Sequence, residues 1–229
     1  MSDRNIEAWH AIVKAYNEAI YDTDGERALQ VVEDALAQGL TPEDVVFKVI
    51  IPALEAMMEQ INHDPDANLA QHFMTAQIAT KVTERMLAKF SQPPQTVGRV
   101  IIGTSQGDLH SLGKRIVVGC LKSLMVDVVD LGINVPPERF VDEAEAHGAQ
   151  VIAISSMMVH TARSAQGCVR VRQLLKERGL EERVRIVVGG APYRFDPQLF
   201  RQVGADAWAE DGITAGRVIL ELIREVKPS

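Results

Sequence analysis

Cysteine is almost missing from this chain. Cys120 and Cys168 are its two thiols, and no C-x-x-C pair occurs. That rules out a disulfide framework or a cysteine-built metal site, and both residues read as small core side chains in a reducing compartment. A basic excess is missing too. The net charge is -7 and the pI about 5.4, so no positive field is offered to nucleic acid or to an anionic membrane. No apolar run approaches the roughly 18 residues that span a bilayer. The start, MSDRNIEAWH, has no apolar stretch behind a basic cluster, as a secretory leader would. A cytoplasmic protein with neither nucleic-acid nor membrane partner is the expectation. What the chain does have is 46% hydrophobic and 24% charged residues over 229 positions, the composition of an ordinary globular protein with one large or two small domains.

The first 90 residues follow one pattern. Apolar residues recur at intervals of three and four, as in Ile6, Trp9, Ile12, Val13, Tyr16 and Ile20, which is the period of an amphipathic helix. Asp24-Gly25 opens a second helix and Gly39 closes it. Thr41-Pro42-Glu43-Asp44 starts a third with a capping threonine and a proline in the first turn. That helix should reach about Gln60, and the turn Asn62-His63-Asp64-Pro65-Asp66 precedes a fourth, from Ala67 to Phe90. A four-helix bundle follows.

Ser91-Gln92-Pro93-Pro94-Gln95 cannot continue a helix, because proline lacks a backbone donor and restricts its predecessor. The chain therefore reads as a helical domain over 1–90, a linker over 91–96 and a second domain over 97–229. In the second domain, short valine- and isoleucine-rich strands at 97–104, 126–131, 151–155, 184–188 and 205–209 alternate with helices at 114–124, 137–147, 162–178, 197–203 and 214–226. Strands so uniformly apolar are covered on both faces. The predicted fold is α/β, a flavodoxin-like, Rossmann-like parallel sheet of order 2-1-3-4-5.

In such a sheet the ligand site lies beyond the carboxyl ends of the strands, where the order reverses. After the first strand comes Gly103-Thr104-Ser105-Gln106-Gly107-Asp108-Leu109-His110-Ser111-Leu112-Gly113. After the third comes Ser155-Ser156-Met157-Met158, and after the fourth Gly189-Gly190-Ala191-Pro192. Asp108 and His110 stand one residue apart before a helix. A carboxylate on one imidazole nitrogen fixes the tautomer and raises the basicity of the other, as for a metal-binding histidine. The loop offers no second ligand of metal-site spacing, so the metal would arrive already chelated by a cofactor. A hydrolase triad is the competing chemistry, since serine, histidine and aspartate are all present; it is set aside because no nucleophile elbow is read at a strand end. A phospho-acceptor receiver needs a lysine after strand five, where Ala209-Glu210-Asp211-Gly212 stands.

Asp108-x-His110-x-x-Gly113, Ser155-x-Met157 and Gly189-Gly190 resemble the D-x-H-x-x-G, S-x-L, G-G signature of cobalamin-binding domains. Gly39-Leu40-Thr41-Pro42 through Ile51-Pro52-Ala53-Leu54-Glu55-Ala56-Met57, and Gly132-Ile133-Asn134-Val135-Pro136, resemble methyltransferase corrinoid proteins, the bundle being their cap. The resemblance implies cobalamin or a related corrinoid, expected in its methylcobalamin state, bound with its benzimidazole displaced. His110 would be the lower axial ligand of cobalt and Asp108 its hydrogen-bond partner. Gly107, Leu109, Ser111, Leu112, Gly113, Ser155, Met157, Val159, Gly189 and Gly190 would line the site. The chain would be a carrier that shuttles a methyl group between partners: a substrate:corrinoid methyltransferase and an acceptor methyltransferase, with a reductive activator.

Two departures from the family pattern matter. Val159 replaces a common threonine, leaving Thr161 or His160 to supply its hydrogen bond. In the cap, Met58, Phe73 and His72 are candidates for the upper face. His72 falls where related cobalamin-dependent light sensors place an upper cobalt ligand, although Ile61 and Gln71 replace their tryptophan and glutamate. A cobalamin-dependent sensor or regulator, with His72 on cobalt, is therefore the alternative function, and the small subunit of an adenosylcobalamin mutase a third.

Overall fold

A computed structural model of the chain describes residues 3–54, 69–90 and 96–226. The chain divides into two compact units, one of Met1–Gln95 with Lys122–Leu124, the other of Thr96–Leu121 with Met125–Ser229.

The first unit is helical. Helices α1 (Asp3–Tyr21), α2 (Gly25–Ala37), α3 (Pro42–Val45, continuing through a π-helical turn at Val46–Ile50) and α4 (Leu69–Leu87) pack on one another. Their starts follow local chemistry. The Asp24 carboxylate accepts from Arg27 N at 2.9 Å. The Thr41 hydroxyl accepts from Asp44 N at 3.0 Å while Asp44 reaches back to Thr41 N at 3.5 Å, a capping box ahead of Pro42. Tyr16, Ile20, Val32, Val49 and Met86 fill the core, and the Thr75 hydroxyl donates to Ile20 O at 3.0 Å, tying α4 to α1. The expected reach of the third helix to Gln60 and the turn at 62–66 lie outside the described residues.

The second unit is the expected parallel sheet. Strands β1 (Arg99–Thr104), β2 (Asp127–Asp130), β3 (Val151–Ser155), β4 (Arg185–Gly189) and β5 (Ala207–Ala209) run in the order β2-β1-β3-β4-β5. Around them lie α5 (Leu112–Ser123), α6 (Pro137–His147), α7 (Val159–Ala162), α8 (Cys168–Glu177), α9 (Ala191–Phe195), α10 (Leu199–Gln202) and α11 (Gly212–Glu225). Ile101, Ile152, Ile154, Ile186 and Val188 are buried in the sheet, with Phe140, Leu175 and Tyr193 packed from the helices. At Gly103 a Cβ would stand 2.9 Å from both Phe140 and Val135, which accounts for a glycine inside an aliphatic strand.

Two helices differ from expectation. Of the single helix expected over 162–178 the later part forms, as α8, while α7 lies ahead of it and shares only Ala162 with that range. Gly167, at φ -112° and ψ -137°, leaves the helical region, and the Ser164 side chain accepts from Gln166 N at 3.1 Å. A side-chain turn here competes with the helical ladder. The helix over 197–203 shortens to α10, with α9 ahead of it; Pro192 stands in the first turn of α9, a position that favours proline.

Candidate functional site

Strand register brings the three motif segments together. Thr104 pairs with Ser155, and Ser155 with Gly189, so the loops carrying Asp108, Met157 and Gly190 leave the sheet side by side. Ser105 N donates to Ser155 O, and Ser156 N to Gly189 O, each at 3.0 Å. These bonds continue the ladder into the loops.

Asp108 is the centre of the arrangement. Its side chain is wholly buried, whereas that of its neighbour His110 is 56% exposed. Oδ1 accepts from His110 N at 3.0 Å and meets His110 Nδ1 at 2.9 Å. Oδ2 accepts from Met157 N at 2.7 Å and from the Thr161 hydroxyl at 2.8 Å. Burial alone would raise the Asp108 pKa, but the hydrogen bonds from His110 N, Met157 N, Thr161 and the His110 ring outweigh it and bring the carboxyl down to about 2. The group is therefore an anion at neutral pH. An ionised carboxylate only accepts, so in the neutral imidazole Nδ1 carries the proton and Nε2 keeps its lone pair.

The loop that presents this pair is braced from the turn after β2. Gly107 takes φ +83°, a conformation open to glycine, and its N–H donates to Asn134 Oδ1 at 2.7 Å. Asn134 N in turn reaches Thr104 Oγ1 at 2.8 Å, and the Thr104 hydroxyl donates to Asp108 O at 2.5 Å. Asn134 and Thr104 are site residues beyond those expected from the motifs. Asn134 has φ +53°, and an asparagine after Gly132-Ile133 is the available signal, since it tolerates that region better than most residues.

One sequence expectation is corrected. Gly103-Thr104-Ser105-Gln106-Gly107 does carry the G-x-S-x-G spacing of a nucleophile elbow, so a hydrolase cannot be set aside for lack of one. The geometry sets it aside instead. An elbow holds its serine hydroxyl out to substrate, whereas Ser105 is 2% exposed and its hydroxyl meets that of Ser156 at 2.8 Å.

The remaining candidates differ in their surroundings. Leu109, Leu112, Met157 and Val159, joined by Ile133 and Met158, are exposed apolar residues on the loops after β1, β2 and β3 and on the first residues of α5 and α7, an unusual concentration for a surface with no ligand function. Gly113 has nothing within 4 Å of where its Cβ would be, whereas at Gly190 (φ +111°) a Cβ would stand 2.1 Å from Ser156 O. Gly189 is less constrained, with Ala209 O at 3.3 Å. Ser111 O accepts from Arg115 N at 3.0 Å, opening α5. Of the two substitutes for a threonine at 159, Thr161 reaches Asp108 and is buried, while His160 is exposed. In the helical unit, Met58 lies outside the described residues. His72 and Phe73 belong to α4, but their side chains lie outside them as well.

Beneath the loop, Lys114 on the first turn of α5 is 3% exposed and holds both oxygens of Asp130 at the end of β2. Among the described residues no group of three or more His, Cys, Asp or Glu could hold a metal ion. No described helix is long and apolar enough to cross a membrane.

Comparison with known proteins supplies the family. The B12 binding domain model matches residues 98–216. The chain is 32% identical to trimethylamine corrinoid protein 1 of Methanosarcina acetivorans over 91% of its own length and 97% of that protein. It is 33% identical to dimethylamine corrinoid protein 3 of the same organism, over 90% and 94%. Among solved structures, a cobalamin-binding protein from Desulfitobacterium hafniense superposes with a TM-score of 0.75 at 19% identity, covering 92% of this chain and 98% of that one. A chain of the methanol:cobalamin methyltransferase complex from Methanosarcina barkeri superposes at 0.76 and 20%, covering 93% and 80%. At those identities the two structures speak to the fold, a helical unit followed by a Rossmann-like one. The sequence matches carry the rest, and by them the chain belongs to the methyltransferase corrinoid-protein family, with cobalamin or a related corrinoid as its cofactor.

Proposed function

We propose that the chain is the methyl-carrying corrinoid subunit of a methyltransferase system, with the cofactor bound base-off and His110 Nε2 as the lower axial ligand of its cobalt. The observation that carries this reading is the 2.9 Å contact between His110 Nδ1 and Asp108 Oδ1. In the neutral ring it places the proton on Nδ1 and leaves the Nε2 lone pair for a metal, on a half-exposed side chain. The corrin, when bound, supplies a cobalt that accepts a methyl group and gives it up again; everything else falls to the protein.

The residues fit such a group. His110 orients one nitrogen donor, and Asp108 holds that donor in one tautomer. Leu109, Leu112, Met157 and Val159 offer an apolar rim against which a macrocycle would be desolvated. Gly113 leaves open the space in which any side chain would stand. Ser155, Gly189 and Gly190 form the backbone edge along which the displaced nucleotide tail would run, and Gly107 and Ser111 shape the loop between. The cap candidates Met58, His72 and Phe73 remain part of the proposal as residues of the upper face.

Two partners follow from a carrier role: a methyltransferase that loads the methyl group and one that removes it, with a reductive activator to restore the cofactor after oxidation. The relatives are named for trimethylamine and dimethylamine, and we extend the class, a methylated amine, to the donor of this chain.

The test uses the full chain loaded with cob(II)alamin after labelling its histidines with ¹⁵N. Electron paramagnetic resonance should show superhyperfine splitting from a ¹⁵N nucleus, lost in His110→Ala. Persistence of that splitting in His110→Ala would remove the axial-ligand reading. Selective adenosylcobalamin binding, with a light-induced bis-histidine spectrum that disappears in His72→Ala, would establish the sensor in its place.

A further inference from the structure

The loop that carries His110 is held at both ends by one segment, the turn after β2. At the start of the loop Gly107 N donates to Asn134 Oδ1 at 2.7 Å, and Asn134 N donates to Asp108 O at 3.0 Å. At its end Lys114, in the first turn of α5, binds both carboxylate oxygens of Asp130, Oδ2 at 2.5 Å. The turn itself is fixed to the sheet. Leu131 N donates to Ile102 O at 2.8 Å, Thr104 N to Gly132 O at 3.2 Å and Val135 N to Thr104 O at 3.1 Å, while Asp130 Oδ1 accepts from Gly132 N at 2.8 Å. Between the two ends, Leu109, Leu112 and the His110 side chain are each more than half exposed, so packing holds them little.

Lys114 is an unexpected residue for its place. The first turn of a helix is the positive end of its dipole and disfavours a cation. Burial, at 3% exposure, disfavours it again. What a lysine provides there is its contact with Asp130.

We propose that residues 130–134 are a splint for the His110 loop, with Lys114 and Asn134 as positioning residues: they fix the two ends of the loop, so that the imidazole stands in one place before the corrinoid arrives. The inference rests on the axial-ligand reading of His110 but is tested apart from it. A span pinned at both ends loses its order when either pin goes, so the two contributions are not additive. Where the binding-competent arrangement falls to roughly a tenth of the population, affinity falls about tenfold.

The measurement begins on the full chain without cofactor. Lys114→Met removes the ammonium and keeps an apolar stem. Asn134→Gly removes the amide at a position whose φ of +53° glycine accepts. Backbone ¹⁵N relaxation over residues 109–113 should give order parameters of about 0.85 in wild type and below about 0.6 in either variant, with the circular dichroism of the fold unchanged. Asn134→Asp, which keeps an acceptor for Gly107 N, should stay ordered. Titration with aquocobinamide, which has no nucleotide tail, should then give roughly tenfold weaker binding in each single variant and recovery in Asn134→Asp. The double variant should lose little more than either single one, far short of the roughly hundredfold that independent effects would give. A loop as mobile in wild type as in the variants would overturn the proposal. So would wild-type order in the single variants, wild-type affinity in a disordered one, or a hundredfold loss in the double variant. If Lys114→Met does not fold, the contrast between Asn134→Gly and Asn134→Asp decides by the same two readings. Wild-type affinity for aquocobinamide in His110→Ala would instead remove the axial-ligand reading and leave the result on loop order standing.

Discussion

A Cβ placed on Gly190 would stand 2.1 Å from the carbonyl oxygen of Ser156, so the turns after β3 and β4 touch through backbone alone. No side-chain rotation relieves that contact, and the φ of +111° at Gly190 is closed to other residues besides. Gly190→Ala should destabilise the chain by roughly 2–5 kcal/mol, the sum of backbone strain and overpacking, as read from urea unfolding. Because Ser156 precedes the Met157 N–H that holds Asp108, the shift should also disturb the environment of His110. A stability within about 0.5 kcal/mol of wild type would mean that the turns separate freely.

Gly113 should behave in the opposite way. It sits in the first turn of α5 with open space where a Cβ would be, so the fold gives no reason for glycine there. Alanine in a helix is favoured by up to about 1 kcal/mol. Gly113→Ala should therefore leave the cofactor-free chain as stable as wild type or slightly more so, while weakening corrinoid binding. Unchanged binding in isothermal titration would show that the space is not the ligand's.

Acid should act on the cofactor-free chain through Asp108. Its folded pKa of about 2 lies below the ordinary carboxylate value, so its contribution is present above about pH 4 and is lost as pH falls toward 2. A difference of nearly two pKa steps corresponds to about 2 kcal/mol. Unfolding free energies from urea titration of wild type and Asp108→Asn should differ by roughly that amount at pH 7 and converge as pH approaches 2. Curves that stay parallel from pH 6 to 3 would assign the effect to lost packing and not to the anion.

Much of this was legible in the residues. Runs rich in valine and isoleucine read as strands covered on both faces, and they placed β1 to β4; β5, Ala207–Ala209, holds neither residue. Asp24, Thr41 and Pro42 placed helix starts because capping is local chemistry. The break between α7 and α8 was not legible, because Ala162, Arg163, Ala165 and Gln166 are good helix formers. The turn at Ser164 and Gly167 overrides them. At the site, the Asp108–His110 pair could be read because its members are two residues apart. Thr161 was legible only as one of two substitutes for a threonine at 159, since its partner stands 53 positions earlier. Asn134 and Thr104 depend on strand register, and G-x-S-x-G at 103–107 acquires its meaning only from the burial of Ser105.

The Lys114–Asp130 pair, buried only at its lysine end, should respond unequally to loss of its two members. Lys114 is 3% exposed and the Asp130 side chain 36%. Removing the ammonium leaves a carboxylate that water can reach and that Gly132 N already holds at 2.8 Å. Removing the carboxylate strands a buried cation. Asp130→Ala should cost roughly 3–5 kcal/mol and Lys114→Met about 1 kcal/mol or less. Equal losses, or the reverse order, would show that Lys114 finds water or another acceptor when its partner is gone.

The two thiols should be silent in the native chain. Burial pushes Cys120 up to about 12, with the nearby Asp211 charge adding to it. Burial likewise pushes Cys168 up to about 12, with Arg172 opposing and Asp206 adding. The reactive species is the thiolate. At pH 8 such groups hold about three orders of magnitude less of it than an ordinary cysteine. Neither residue is then a nucleophile toward an alkylating agent while the chain is folded. Iodoacetamide at pH 8 should leave both residues unmodified in the folded chain and alkylate both in urea, as read by mass spectrometry. Modification of either at a rate near that of a free thiol, with the fold intact by circular dichroism, would place that cysteine at the surface.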